Sequence, residues 1–336
     1  MREISKKYKF GFIGTGSYGS ALANVLSENG HNVALYGINE YEINDINTGY
    51  NQRYFGSIPF YKKENIYATD NLEEVVLSSE HIVLAIPSTA MRETLKKIKE
   101  ILKSKKINII NLSKGIEYQS GMFFSDFIKW KFNKNIKNLA TLTGPSFASE
   151  VFQRENTIIN VVSENEEYNE LLVSLFTNKY FKLIPETNVL GSEIFGAIKN
   201  VLAIGIGMWN ATKTSKNTLS ALLTMGINEI NHIYKHLSNK ENIDFSLSYS
   251  CIGDVYLTCT SVKSRNFTLG IQIYENGVDK ALENSGLTVE GYHTAKTLEK
   301  MIKEKEINNI PFLKSILDVL FNSKKPVNLL DFMNEL

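Results

Sequence analysis

The sequence has only two cysteines in 336 residues, Cys251 and Cys259, and neither lies in a CxxC motif or beside a histidine. This scarcity argues against a disulfide framework and against a zinc site. We therefore expect a reducing, cytoplasmic setting and no bound metal.

An excess of charge of one sign is also missing, since 37 basic residues balance 36 acidic ones. Long apolar runs are missing too: the longest, residues 201–209, is about half of the roughly 20 residues that cross a bilayer. The first ten residues lack the apolar segment and cleavage site of a secretory signal. We expect no nucleic-acid partner, no membrane span and no export signal.

The chain is long enough for two hydrophobic cores. Up to about residue 184 it alternates helical patterns with six short apolar or β-branched runs: KFGFIG, NVALYG, HIVLAIP, INIINLS, LATLTG and TIINVVS. Such alternation predicts βαβ units on a parallel sheet. HIVLAIP is apolar almost throughout, which favours a central strand covered on both faces.

The strand pattern stops after about Pro185, and amphipathic helical patterns follow, for example over residues 221–237 and 288–303. The predicted fold is therefore α/β, with an N-terminal Rossmann-type doubly wound sheet followed by an all-helical C-terminal domain. We place the dinucleotide-binding domain at residues 1–188 and the substrate-binding, catalytic domain at residues 189–336.

The clearest motif is GTGSYG, which places Gly14, Gly16 and Gly19 in G-x-G-x-x-G spacing between a predicted strand and a predicted helix. In a dinucleotide site the three glycines allow a tight turn, close approach of the pyrophosphate and close helix packing, while the helix N-terminus attracts the phosphates. The alternative is an ordinary strand-to-helix turn, but the flanking elements favour a dinucleotide site.

Neither marker of coenzyme choice occurs where the second strand should end, near Tyr36. An acidic residue there binds the ribose 2′-hydroxyl, and an arginine binds the 2′-phosphate. The sequence has Gly37, Ile38 and Asn39 instead, with Glu40 and Arg53 displaced. The choice between NAD and NADP stays open, with a slight expectation that both are used.

The helical pattern GSEIFGAIKNVLAIGIGMW is apolar almost all round, yet it carries Lys199 and Asn200 at its centre. Burial lowers the pKa of a lysine toward neutrality, which suits proton transfer. The alternative is a lysine whose stem packs while its ammonium reaches water. Gly196 close by makes room for a ligand and favours the functional interpretation.

Three further groups could handle an anionic substrate. Asp254 precedes a run of Ser264, Arg265 and Asn266 at the start of a predicted helix, a pattern suited to phosphate, although it is also typical of a helix cap followed by a solvated arginine. Lys114 follows a predicted strand, where residues face the ligand crevice of α/β sheets or simply lie in a loop.

Taken together, these motifs resemble the bacterial-type NAD(P)-dependent sn-glycerol-3-phosphate dehydrogenase family over essentially the whole chain. The resemblance is carried in order by GTGSYGSALA, AIPSTAMRETL, LSKGIE, TGPSFASEV, GSEIFGAIKNVLAIGIGM, GDVYLTCTSVKSRN, VEG at residues 289–291 and NIPFLKSILDVLF. It implies reversible hydride transfer between glycerol 3-phosphate and dihydroxyacetone phosphate, for phospholipid synthesis, with substrate in a cleft between the domains. It also implies a homodimer.

The resemblance also implies residue roles. Lys199 is implied as the base that takes the C2 hydroxyl proton, with Asp254 and Lys114 orienting and polarising that oxygen. The implied substrate-binding residues are Lys114, Gly144, Ser146, Lys199, Asn200, Asp254, Ser264, Arg265 and Asn266. The implied coenzyme-binding residues are Gly14, Gly16, Ser17, Tyr18, Gly19, Lys114, Ala148, Arg265 and Glu290.

The chain departs from the family pattern at three places, one of which is the absence of the basic residue often found after the second strand. Met225 stands where relatives commonly have an arginine, and Ser250, Cys251 and Ile252 replace a glycine-rich approach to Asp254. Two other functions remain open at this point: a dinucleotide-binding sensor that has lost its chemistry, and another two-domain reductase, such as a 3-hydroxyacyl or ketopantoate enzyme.

Overall fold

Strands and helices alternate through the first half of the chain in a computed structural model, which describes residues 7–212, 215–238, 244–285 and 289–335. The elements of this half are β1 (Tyr8–Ile13), α1 (Ser17–Glu28), β2 (Val33–Tyr36), α2 (Glu40–Thr48), α3 (Gln52–Phe55), β3 (Ile66–Thr69), α4 (Leu72–Ser78), β4 (Ser79–Leu84), α5 (Met91–Leu102), β5 (Ile107–Asn111), α6 (Phe124–Phe132), β6 (Ile136–Thr143), α7 (Ala148–Phe152), β7 (Thr157–Val162), α8 (Glu166–Phe176) and β8 (Phe181–Glu186).

The strands form one sheet in the order β3-β2-β1-β4-β5-β6-β7-β8. All neighbours are parallel except β6 and β7, where Thr141 pairs with Val162 in antiparallel register. The strand order reverses between β1 and β4, which marks the sheet as doubly wound. The predicted fold class is confirmed, and HIVLAIP supplies most of β4, a central strand.

Apolar helix faces cover both sides of the sheet. One core includes Leu22, Val25 and Leu26 of α1 together with residues of α7 and α8. The other includes Leu95 and Ile98 of α5 together with residues of α4 and α6. Because buried parallel strands have no solvent face, this sandwich explains the nearly continuous apolar runs seen in the sequence.

The second half of the described chain contains helices and no strand of the sheet. Its helices are α9 (Val189–Asn210), α10 (Lys216–Ser238), α11 (Asp254–Cys259), α12 (Arg265–Asn276), α13 (Val278–Asn284), α14 (Glu290–Glu304) and α15 (Pro311–Phe321). The helices predicted over 221–237 and 288–303 correspond to α10 and α14. Thr288, the first residue of the second predicted helix, lies outside the described residues. Residues 1–6, part of the N-terminal segment that we expect not to be a secretory signal, lie outside them too.

Helix α9 is the core helix of this half. Its 22 residues are long and apolar enough to cross a membrane by length and composition alone, but 89% of its most apolar window is buried inside the protein. Helix α9 packs against α12, and the two helices meet at Gly207 and Gly270. A Cβ on Gly207 would lie 2.1 Å from the carbonyl oxygen of Phe267, and one on Gly270 would lie 2.1 Å from that of Ile204. Only glycine allows the two backbones to approach this closely.

The chain folds into two compact units. The second unit also includes a short segment from the first half of the sequence, called the excursion below. Lys114–Phe123 belongs to the second unit with Leu190–Leu336, while the first unit runs up to Ser113 and resumes over Phe124–Val189. The excursion is closed by a bridge between Ile116 and Phe123, both of which join the helical core. Lys114 is therefore part of the helical unit. The division into functional domains at 188/189 stays a prediction.

Candidate active site

The glycine loop of the first unit has the backbone shape of a phosphate-binding turn. Gly14 has a φ of +121°, and a Cβ there would lie 2.3 Å from the carbonyl oxygen of Ala85. At Gly16, by contrast, a Cβ would meet no atom within 4 Å, so the space in front of this backbone is open. Gly16 is also the N-cap of α1, and no side chain caps the first turn. The loop thus offers helix N–H groups and room for a pyrophosphate.

Buried polar side chains hold this loop from behind. The hydroxyl of Thr15 donates to Glu42 over 2.6 Å, and the amide nitrogen of Asn51 donates to the carbonyl oxygen of Thr15 over 3.0 Å. Glu42 and Asn51 are both buried. Sequence reasoning did not identify either residue, because their role depends on α2 and α3 folding back onto the loop.

The loop after β6 meets the glycine loop within the same unit. The hydroxyls of Tyr18 and Ser146 lie 2.8 Å apart, and Ser146 also donates to the carbonyl oxygen of Gly144 over 3.2 Å. Ala148 begins α7 and packs against the core shared with α1. Residues predicted to bind coenzyme and residues predicted to bind substrate therefore lie together here.

The helical unit contains a cluster of two lysines and one aspartate, in which Lys199 and Asp254 are buried and Lys114 is partly exposed. Lys199 donates from Nζ to Oδ1 of Asp254 over 2.8 Å, and Lys114 donates from Nζ to Oδ2 over 2.5 Å. Lys199 and Asp254 are only 5% and 2% exposed. The three residues predicted to be catalytic are thus in direct contact, and the alternative of a Lys199 side chain that reaches water is wrong.

Burial sets the protonation of this cluster. Burial lowers the pKa of Lys199 to about 8, against the opposing effect of the Asp254 carboxylate, while the ammonium of Lys114 lowers it further. Burial alone would raise the pKa of Asp254, but the ammonium groups of Lys114 and Lys199 outweigh it and hold that pKa below its usual value. These effects favour an ionised Asp254 and bring the pKa of Lys199 closer to neutrality than that of an exposed lysine.

One member of the cluster was missed by sequence reasoning. The hydroxyl of Thr258 accepts a 2.6 Å hydrogen bond from Nζ of Lys199 and lies one helical turn after Asp254 on α11. The i, i+4 spacing from Asp254 is the signal that could have revealed it, since residues four apart share a helix face.

The approach to Asp254 is a π-helical turn over Tyr249–Gly253. The buried hydroxyl of Ser250 lies 3.3 Å from that of Ser192 on α9 and 3.0 Å from that of Ser248. π-helical turns are rare and occur often at functional sites. Here the turn contains Ser250, Cys251 and Ile252 and ties the Asp254 segment to the helix that carries Lys199.

The predicted phosphate-binding residues lie at the start of α12. The hydroxyl of Ser264 caps this helix by accepting from the N–H of Phe267 over 3.3 Å, and it is buried. Arg265, the first helical residue, is exposed and forms no hydrogen bond or ion pair with the described residues. The cap and the solvated arginine of the alternative interpretation are both present, and they leave the guanidinium available to an anion.

Asn266 connects α12 to α14. Its side-chain oxygen accepts a 3.0 Å hydrogen bond from the N–H of Gly291, next to Glu290 at the first position of α14. Asn200 follows Lys199 on α9 and is buried, yet its side-chain amide bonds to none of the described residues. Asn200 is thus a polar group available to a ligand.

No metal centre is visible in the part of the chain that the structure describes, since it contains no group of three or more His, Cys, Asp or Glu side chains placed to hold an ion. Cys259 lies against the carbonyl oxygen of Lys199 at 3.8 Å, and burial raises its pKa well above the usual value. This thiol therefore stays protonated and inert.

Comparisons with known proteins cover nearly the whole chain. Residues 9–169 match the family model for the N-terminus of NAD-dependent glycerol-3-phosphate dehydrogenase, and residues 188–331 match the model for its C-terminus. The NAD(P)+ glycerol-3-phosphate dehydrogenase of Malacoplasma penetrans is 41% identical over 318 residues, which are 94% of this chain and 92% of that protein. Its counterpart in Mesoplasma florum is 38% identical over 334 residues, 98% and 97% of the two chains.

A solved structure shares the fold. The glycerol-3-phosphate dehydrogenase of Coxiella burnetii superposes with a TM-score of 0.88 at 24% identity and covers 98% of this chain and 99% of its own.

Proposed function

Because the chain belongs to the NAD-dependent glycerol-3-phosphate dehydrogenase family, we propose that it interconverts sn-glycerol 3-phosphate and dihydroxyacetone phosphate with NAD or NADP as coenzyme. The observation that carries the proposal is the buried Lys199 ammonium held between Asp254 and Thr258. A buried amine with a pKa of about 8 is suited to take a proton from a secondary alcohol and to return it.

Lys199 is the acid–base group. Bound coenzyme would supply a hydride acceptor, so that the hydrogen on C2 of glycerol 3-phosphate leaves with both electrons of the C2–H bond. The proton of the C2 hydroxyl passes to the neutral amine of Lys199, and a C2 carbonyl forms. In the reverse direction protonated Lys199 returns this proton to the oxygen. These transfers need no metal.

Asp254 and Lys114 prepare the reacting oxygen. Asp254 holds both ammonium groups through separate carboxylate oxygens, so it fixes where Nζ of Lys199 points. Lys114 places a second positive charge beside Lys199, where negative charge develops on the substrate oxygen during proton loss. The arrangement lowers the cost of that charge without a change in protonation of Asp254.

Substrate phosphate binds at the start of α12. Arg265 supplies a guanidinium with no competing partner among the described residues, and Ser264 and Asn266 flank it at a helix N-terminus. Gly144, Ser146 and Asn200 complete the proposed substrate contacts. Binding a phosphate away from the reacting carbon supplies energy that orients C2.

Coenzyme binds at the glycine loop of residues 1–188, and substrate chemistry lies in residues 189–336 with Lys114. The open space at Gly16 and the uncapped first turn of α1 support the pyrophosphate position. The proposed contacts are Gly14, Gly16, Ser17, Tyr18, Gly19, Lys114, Ala148, Arg265 and Glu290.

Steady-state kinetics test this function. We expect oxidation of NADH or NADPH that depends on dihydroxyacetone phosphate, and the absence of turnover with both coenzymes rejects it. Coenzyme binding without turnover would instead support a sensor. A carboxylate-bearing substrate that outcompetes the phosphate ester would support another reductase class.

We propose further that the enzyme works in the cytoplasm as a homodimer and supplies glycerol 3-phosphate for phospholipid synthesis. The supporting observation is family membership. Light scattering coupled to size-exclusion chromatography measures the dimer directly, and a mass of one chain, 38.0 kDa, would contradict it.

A further inference from the structure

The carboxyl end of β2 is the place where a doubly wound dinucleotide fold meets the 2′ position of the adenosine ribose. In this chain β2 ends at Tyr36, and its partner β3 ends beside it, with Tyr36 paired to Thr69. Gly37 is buried, Ile38 is 89% exposed, and the Asn39 side-chain oxygen accepts from the N–H of Tyr41 over 2.9 Å. Among the described residues that follow β2 directly, 37–39, none carries the positive charge that a 2′-phosphate would need.

Arg53, on the neighbouring helix α3, already forms an ion pair with Glu42. Its Nη1 lies 2.7 Å from Oε1 of Glu42, while Oε2 of Glu42 accepts the hydroxyl of Thr15. Glu42 is 5% exposed, and its carboxylate also accepts a 3.4 Å hydrogen bond from the hydroxyl of Tyr54. Arg53 contacts Glu42 through Nη1 alone and is half exposed, so a phosphate that met its remaining N–H groups would share a positive charge that the Glu42 carboxylate already offsets.

The remaining charges at this edge are negative. Glu40 is the first residue of α2 and is exposed, and Asp70 follows directly after β3 and is also exposed. With Glu42 they make three carboxylates against the single guanidinium of Arg53. A phosphate monoester carries close to two negative charges at pH 7 and is repelled by such a setting, whereas an uncharged 2′-hydroxyl is not. Asn39 keeps two amide N–H donors that bond to none of the described residues, and a ribose hydroxyl can accept them.

We propose that this chain binds NAD(H) in preference to NADP(H), and that Glu40 and the Glu42–Arg53 pair set this preference. The proposal rests on the proposed function, since it assumes that a nicotinamide dinucleotide binds at the glycine loop. It narrows the expectation from the sequence that both coenzymes are used.

Binding measured without turnover tests the preference. Titration of NADH and of NADPH into the full-length protein, followed by nicotinamide fluorescence, gives each Kd. We expect the Kd of NADPH to exceed that of NADH by at least about tenfold at low ionic strength. A Kd for NADPH equal to or below that of NADH overturns the preference. Failure of both coenzymes to bind rejects the proposed function itself.

A positive charge introduced at an exposed position tests whether the 2′ position of the ribose lies at this edge. Ile38→Arg adds a guanidinium beside the 2′ position without disturbing the core, and we expect it to tighten NADPH at least about tenfold while the Kd of NADH changes less than about twofold. Tightening of both coenzymes alike, or of neither, overturns the assignment of the 2′ position to this edge.

Two exposed glutamates at equivalent helix positions show whether loss of a negative charge affects NADPH binding only near β2 or anywhere on the surface. Glu40 and Glu166 are both exposed, and each is the first helical residue after an asparagine N-cap, on α2 and α8 respectively. We expect Glu40→Gln to tighten NADPH by about threefold and Glu166→Gln to leave it unchanged. Equal effects, or none at Glu40, overturn the role of the α2 charge.

Discussion

Lys199 and Asp254 lie 55 positions apart in the sequence, yet Nζ of the lysine donates a 2.8 Å hydrogen bond to the aspartate inside the helical unit. Both side chains are almost entirely buried, which costs free energy unless each charge is compensated. Lys114 and Thr258 provide the rest of that compensation. Lys199, Asp254, Lys114 and Thr258 thus form one interdependent site.

The pH dependence should report Lys199. Because burial lowers its pKa to about 8, the neutral amine needed for glycerol 3-phosphate oxidation accumulates as pH rises through that value. We expect kcat/KM for oxidation to rise about tenfold per pH unit below 8 and to level above it. The protonated form serves reduction, so that rate should fall above pH 8. Profiles with the same slope in both directions would contradict this assignment.

Replacing the amine should stop proton transfer while leaving coenzyme bound. For Lys199→Met, which keeps the length of the buried stem, we expect kcat to fall at least about 100-fold and the Kd of NADH to change less than about twofold. Thermal unfolding of the variant controls for loss of fold. An unchanged kcat would remove Lys199 from the mechanism.

Thr258 should act through Lys199. Loss of its hydroxyl removes an acceptor that stabilises the ammonium, so in Thr258→Val we expect the step in the pH profile to move below about 8 and kcat to fall about tenfold. Thr258→Ser should restore both. Thr260, the residue that follows α11, donates from its hydroxyl to the carbonyl oxygen of Tyr256 instead, so Thr260→Val is a matched control. A drop in kcat with no shift of the step would indicate a packing role only.

Arg265 should contribute to binding of phosphate. In Arg265→Ala we expect KM for dihydroxyacetone phosphate to rise at least about tenfold, because the lost guanidinium has no substitute at that helix start. Turnover of dihydroxyacetone without phosphate should be slow and unaffected. The nearby exposed Lys263→Ala serves as the control. Equal losses with both substrates would argue against a phosphate clamp.

Stability should depend on pH through Glu229, a buried carboxylate outside the active site. It accepts the N–H groups of Phe312 and Leu313 at the start of α15, and burial raises its pKa to about 7, against these two hydrogen bonds. Between about pH 4.5 and 7 the folded state holds a proton that the unfolded chain has lost, so stability falls as pH rises across this window. The total is on the order of 3 kcal/mol, at about 1.4 kcal/mol per pKa unit.

Unfolding of the Glu229→Gln variant checks this linkage. Urea midpoints measured from pH 5 to pH 8 should decline for the wild type and stay flatter for the variant, which cannot titrate at this position. Parallel curves for the two proteins would assign the pH dependence to other groups.

The sequence predicted the sheet well where strands are apolar, and less well at its edges. The six runs that it identified are all strands, but β3 and β8 were overlooked. Each carries exposed or polar positions, and β8 contains Pro185, because edge strands need not be buried on both faces. The antiparallel placement of β7 was also not foreseen, since it depends on how the chain returns after the Gly144 loop.

The chemistry of individual residues was easier to predict than their contacts. Lys199, Asp254 and Lys114 could be selected by their residue type and local pattern, but the placement of Lys114 in the helical unit follows from a ten-residue excursion that no local pattern encodes. The Glu42–Arg53 pair likewise depends on α2 and α3 packing behind the glycine loop.

The contact between Gly207 and Gly270 has a consequence for selectivity. It joins the helix of the proton-exchanging amine to the helix that begins at the guanidinium, backbone against backbone. The interval between the main-chain positions that carry these two side chains is therefore set by the contact of the two helices. A fixed spacing of the two helices favours phosphate esters of one carbon length over longer or shorter homologues.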